Sequence, residues 1–126
     1  NPISMVAGQA AMTLMTRAEF ERLDILGARI RDGIARAFAD TGVDGQVTGM
    51  GSLFRIHMSS APLTDYRTFL SAAVHAPKLA QVVRHLQDNG VLISPTGLGA
   101  LSTPMTAVEI DHFLDIFEAA LRHTAS

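Results

Sequence analysis

The 126-residue sequence has no cysteine and a single lysine, Lys78. Without a thiol there is no disulfide, no thiolate nucleophile and no sulfur ligand for a metal, and a reducing cytoplasm is the default localisation for such a composition. The chain also lacks any apolar run near the roughly 20 residues needed to cross a bilayer, and any basic-then-apolar signal segment, so no membrane partner is expected. Its 10 basic and 12 acidic residues include no dense basic cluster, which argues against nucleic acid as a partner. Hydrophobic residues make up 48% of the chain, enough for a real core in one domain of this length.

Several catalytic signatures are missing too. Gly97-Leu98-Gly99 has Ser102 where a dinucleotide loop needs a third glycine, and Gly49-Met50-Gly51 has Phe54 at the corresponding place. Both pairs read as turn glycines rather than a phosphate cradle. No Gly-x-Ser-x-Gly elbow occurs. The histidines are His57, His75, His85, His112 and His123, with no pair four apart and no His-Glu-x-x-His. His112 and His123 lie about 16 Å apart along one helix, too far to share an ion. These read as surface positions except His57, which stands beside Arg55 on a strand and either lines a pocket or faces solvent. Lys78, next to Pro77 at a helix start, reads as a wet surface residue, whereas a Schiff-base lysine works desolvated. The carboxylate pairs Glu21 with Asp24 and Asp111 with Asp115 fit solvated helix sides. A metal site and a self-sufficient active site are both unexpected.

What is present is strongly patterned. Pro2 can open a helix, and Ile3, Val6, Ala7, Ala10 and Leu14 follow at helical spacing. Met5, Met12 and Met15 make the opposite side apolar as well, so this helix should meet something on both faces. Thr16-Arg17-Ala18-Glu19 matches a capping box, and Phe20, Leu23, Leu26, Ile30, Ile34 and Phe38 predict the buried side of a second helix ending at Gly42. Phe54, Ile56 and Met58 alternate with Arg55 and His57, the rhythm of a half-buried strand. Val47 predicts a preceding strand, with Gly49 and Gly51 forming the bend. Residues 59–65 read as a loop, and 66–75 as a helix or irregular turn. Pro77 opens a further helix with Leu79, Val82, Val83 and Leu86 inward and Asn89-Gly90 at its end. Val91-Leu92-Ile93 predicts a short buried strand. A second capping box, Thr106 to Glu109, starts a last helix with Ile110, Phe113, Leu114, Phe117 and Leu121 inward. Helices first, then a small sheet with helices on one side, give an expected fold class of α+β in two layers.

The stretches "NPISMVAGQAAM", "VTGMGSLFRIHM" and "LQDNGVLISPTGLGALSTPMTAVEIDHFL", in this order and spacing, resemble the C-terminal part of class III pyridoxal-phosphate aminotransferases, more closely that of the glutamate-1-semialdehyde 2,1-aminomutase-like branch. The resemblance implies the C-terminal small domain of a fold-type I enzyme, a two-layer α/β sandwich with a small, mainly antiparallel sheet. Residues 1–40 would be the long helical connection from a large domain, and 41–126 the small α/β domain. It also implies a homodimer with the active site at its interface and a small amino-acid or amino-aldehyde substrate. A lysine would hold pyridoxal 5'-phosphate covalently, and an aspartate would pair with its ring nitrogen. In the family's order those elements precede Asn1, so the large domain is the missing partner. The start at Asn1 reads as a cut, and this chain alone is expected to bind no cofactor and to be inactive. Aligning Pro104-Met105-Thr106 on the family's Pro-Leu-Thr-like step puts Ala100 where many relatives carry a carboxylate-gripping arginine. Ser102 and Thr103 then line the substrate pocket, with Arg55 and His57 behind them. The competing reading of 90–105 is a strand-turn-strand that merely completes the sheet. For the whole chain it is a non-catalytic α/β binding or dimerisation module.

Overall fold

The computed structural model of the protein describes residues 1–71 and 75–124. Helix α1 (Pro2–Leu14) is capped by the Asn1 side chain, which accepts from the Ile3 amide, with Pro2 in its first turn. Helix α2 (Arg17–Thr41) follows, then strands β1 (Gln46–Thr48) and β2 (Leu53–His57). Helix α3 (Tyr66–Ser71), helix α4 (Ala76–Asp88), strand β3 (Leu98–Ala100) and helix α5 (Ala107–Thr124) complete the order. Part of the expected 66–75 turn, residues 72–74, lies outside the described residues.

The two long helices form one layer. Leu23, Leu26, Ile30, Ile34, Ala37 and Phe38 recur on one face of α2, three and four residues apart, and all are buried. They meet Ile110, Phe113, Phe117, Ala120 and Leu121 of α5, with Phe38 edge-on to Phe117 at 5.5 Å between centroids. Val82, Val83 and Leu86 bring α4 against the same core. A bidentate ion pair from Arg29 to Asp111, Nη2 to Oδ1 at 2.7 Å, ties α2 to α5 at the surface. Gly42 ends α2 in the left-handed conformation, φ 67°, as its position after Thr41 predicts.

The second layer is a three-stranded antiparallel sheet in the order β1-β2-β3. Phe54, Ile56 and Met58 point to the helices, and Phe54 packs on Phe113 at 5.5 Å. Register pairs Phe54 with Gly99, and the Phe54 ring occupies the place a Cβ at 99 would need, only 2.2 Å away. The fold class is therefore α+β as expected.

Three local expectations are corrected. Val91-Leu92-Ile93 is not a strand: Ile93 is buried, but Leu92 is 87% exposed. The edge of β2 is already taken by Leu98–Ala100, and a turn through Gly97 (φ 78°) bonds Ser94 to Leu98 instead. Phe20 is 55% exposed, because α2 presents Leu23 and Leu26 to the core one turn later. The first capping box is half-formed. The Thr16 hydroxyl accepts from the Glu19 amide, but the Glu19 carboxylate turns to Arg22 instead of reaching back. The Thr106 box closes both ways, Glu109 accepting from the Thr106 amide at 2.6 Å while the Thr106 hydroxyl accepts from the Val108 amide. No side chain of α1 is buried: Ile3, Met5, Val6, Met12 and Leu14 are all exposed, so neither apolar face is covered among the described residues.

Candidate functional site

On β2, Arg55 and His57 project from the face opposite Phe54 and Ile56, as a two-residue period requires. That face is not open to solvent. His57 is only 7% exposed, so its reading as a residue on a solvated sheet face is corrected. Phe69 of α3 lies across it, edge-on to the His57 ring at 6.1 Å and beneath the Arg55 guanidinium at 5.2 Å. From β1, Thr48 meets His57, with Oγ1 2.9 Å from Nε2. From the turn before β3, the Thr96 hydroxyl accepts from Arg55 Nη2 at 3.4 Å, and Thr96 is itself held by Ser94. A recess of about 270 Å³ opens here, lined by Ile56, His57, Met58, Phe69, Leu79 and Thr96, with His75 at its side.

Burial, and after it the Arg55 charge, push the His57 imidazole below its ordinary pKa of 6.5. Below about pH 6.5 the unfolded chain takes up a proton that the folded one resists, so stability falls as pH drops toward the native value and is level above that window. Urea midpoints of wild type should decline from pH 7.5 to 5.5, whereas His57→Gln should lose that part of the slope. Parallel profiles for the two proteins would refute the burial of a neutral ring.

Ser102 and Thr103 lie elsewhere. They are exposed in a turn after β3, closed by the Met105 amide on the Ser102 carbonyl at 3.1 Å. The turn is anchored from α2: Arg22 donates to the carbonyls of Thr103 and Met105 while pairing with Glu19. That pairing lowers the Glu19 pKa and raises that of Arg22, chiefly through their shared hydrogen bond. Ala100 is exposed, whereas Leu101 turns into the core at 8% exposure. The structure thus brings Arg55 and His57 together and adds Thr48, Phe69 and Thr96, while neither Ser102 nor Thr103 lines the recess. Thr48 could have been found from the strand pairing, since it stands across from Arg55 in β1. Phe69 gave no periodic signal.

The residues present do not fit pyridoxal phosphate. Lys78 is exposed on α4 and does not line the recess beside His57. The Gly97 amide is not free to hold an anion, since it already donates to the Ser94 carbonyl at 2.9 Å. No group of three or more metal-binding side chains occurs among the described residues, and no described helix is long and apolar enough to cross a membrane.

No protein-family model matches the chain. It is 32% identical over 124 residues to the glutamate-1-semialdehyde 2,1-aminomutase of Opitutus terrae, which covers 96% of this chain and 29% of that protein. An omega-transaminase from Sphaerobacter thermophilus superposes on all of the chain with a TM-score of 0.94 and 44% identity, again over 29% of its own length. A transaminase solved with PLP bound superposes on 98% of the chain, with a TM-score of 0.83 and 35% identity, over 28% of its own length. The chain thus spans less than a third of each of these proteins. In sequence and in fold it corresponds to the C-terminal part of class III pyridoxal-phosphate aminotransferases, glutamate-1-semialdehyde aminomutases among them.

Proposed function

We propose that the chain is the C-terminal domain of a pyridoxal-phosphate-dependent transaminase or 2,1-aminomutase and that it is inactive alone. The observation that carries this reading is the superposition of the whole chain on under a third of a transaminase. In the complete enzyme a preceding large domain would supply the lysine, and the cofactor would supply the electron sink for amino transfer. This domain would close over a small amino-acid or amino-aldehyde substrate and complete a cytoplasmic homodimer. Residues 1–40 would be the helical connection and 41–126 the small domain proper. Arg55 and His57 would face the substrate, with Ser102 and Thr103 on a separate rim fixed by Arg22.

The uncovered α1 supports this over a free-standing binding module, which would cover a helix apolar on both faces. Two preparations test the reading. Treated with pyridoxal phosphate and borohydride, the 126-residue chain should yield no stoichiometric adduct at Lys78 by intact mass. A longer polypeptide containing it should be labelled at a lysine outside these residues and should transfer an amino group. Stoichiometric labelling of Lys78 with turnover by the chain alone would overturn the proposal.

A further inference from the structure

Along its own helix His123 has no histidine within reach, but the fold brings it to His85 of the neighbouring one. His85 stands in the last turn of α4 and His123 in the last turn of α5. Val82, Val83 and Leu86 pack α4 against the core that α5 shares, and the two rings meet at 5.1 Å between centroids, tilted by 38°. His85 is half-buried and His123 exposed, so the pair is open to solutes. The hydrogen bonds leave both rings able to bind. On His123 Nδ1 donates to the Ala119 carbonyl at 2.8 Å, which leaves the lone pair on Nε2. A backbone-carbonyl bond of this kind fixes the tautomer and the orientation of metal-binding imidazoles. On His85 only the backbone carbonyl is engaged, by Asn89, and the ring has no hydrogen-bonding partner among the described residues.

We propose that His85 and His123 chelate one zinc ion across the ends of α4 and α5. Two imidazoles on a tetrahedral zinc, each nitrogen about 2.0–2.1 Å from the ion, hold their ring centres about 5 Å apart. The right-angled positions of an octahedral or square-planar ion would draw the centres in to about 4.5 Å, so the spacing favours zinc over nickel or copper. Magnesium and calcium take oxygen ligands and gain nothing from an imidazole pair. No third protein ligand joins the two among the described residues, so water completes the tetrahedron. A hollow of about 300 Å³ beside the rings has room for that water, and Gln81 and Thr124 in its wall offer it hydrogen bonds. Arg84 also lines the hollow, and Asp88 offsets its charge. The site is separate from the recess beside His57. That recess reaches α4 at Ala76, about 14 Å along the helix from His85. The ion's part is therefore a clasp between two helices, and the inference does not rest on the proposed function.

The test uses the 126-residue chain, titrated with zinc chloride and, separately, with magnesium chloride in a buffer free of chelators and phosphate. Binding is read by calorimetry and from the imidazole C–H signals in nuclear magnetic resonance spectra. Zinc should move the signals of His85 and His123 together and saturate at one ion per chain, and magnesium should leave them in place. His85→Gln and His123→Gln should each weaken zinc binding at least about tenfold, the lower end of what even an outer-shell change costs a metal site. Saturating zinc should raise the melting temperature of the wild type and not of either variant, because an ion that binds only the folded chain stabilises it. His112→Gln, an exposed position on the same α5, should bind zinc as the wild type does. Melting curves without metal establish that the variants are folded, and either His85→Gln or His123→Gln decides alone if the other is not. A shift confined to one of the two rings, a response that does not saturate, or zinc affinity unchanged by these substitutions would overturn the site. So would an equal loss in His112→Gln, which would mean scattered binding to surface histidines. Magnesium binding at the same two rings would overturn the metal class.

Discussion

Phe117→Ala is expected to cost the chain about 3–5 kcal/mol of stability, the range for deleting a fully buried aromatic ring. Phe117 is 0% exposed and sits where α2, α5 and the sheet converge. It lies edge-on to Phe38 and stacks on Phe113 at 5.8 Å, and Phe113 in turn packs on Phe54 of β2. Alanine would open a cavity whose walls are ring faces and rigid helix backbone, which close in poorly. Against a total of about 5–15 kcal/mol for a domain, such a loss leaves a substantial unfolded fraction. The measurement is urea unfolding followed by circular dichroism, with a lowered midpoint and an unchanged slope. Val108→Ala is the control: Val108 is on the same helix but 72% exposed, and its loss should stay within about 0.5 kcal/mol. A change below about 1 kcal/mol for Phe117→Ala would mean that this aromatic chain does not hold the layers together.

The same aromatic chain marks how far the sequence could be read. Phe38, Phe54, Phe113 and Phe117 all fall on the periods that predict them, three on helices and one on a strand, and all are buried. Both helix starts with Thr and Glu three apart were readable because a cap is settled within four residues. What defeated the reading came from distant partners. Glu19 abandons its capping role because Arg22, drawn to carbonyls more than 80 residues away, holds its carboxylate. Val91-Leu92-Ile93 has the composition of a strand, but composition does not reveal that another segment already pairs with β2. The site divides in the same way. Alternation along β2 put Arg55 and His57 on one face. It could not show that Phe69 covers that face, since α3 is a short helix without a periodic pattern. Ser102 and Thr103 stand apart from them in the turn that Arg22 clamps, a separation set by contacts more than 80 residues away that motif order does not show.

Two glycines on α2 should respond in opposite ways to alanine, although both are buried in the middle of the same helix. Helix propensity alone favours each replacement by about 1 kcal/mol. At Gly27 the new Cβ would come within 1.8 Å of the Gly51 carbonyl oxygen. That oxygen is backbone in the bend before β2, where Gly51 has φ 57°, and it already accepts from Arg31 Nη1 at 2.8 Å. Neither helix nor bend can yield without disturbing the Arg31 bond, and overpacking of this kind costs about 1–3 kcal/mol or more. Steric overlap against fixed backbone wins, so Gly27→Ala should destabilise by up to about 2 kcal/mol net. At Gly33 the obstacle is the two methyls of Leu114, 2.3 and 2.6 Å from the new Cβ, at the far end of a half-buried flexible side chain rather than in backbone. There propensity and repacking nearly cancel, and Gly33→Ala should fall within about 0.5 kcal/mol of wild type. Because the bend leads directly into β2, Gly27→Ala should also shift the amide signals of Arg55 and His57, and Gly33→Ala should leave them in place. Paired urea titrations with amide spectra decide the matter. A Gly27→Ala chain as stable as Gly33→Ala, with the β2 signals unmoved, would show that α2 does not set the position of the strand that carries Arg55 and His57.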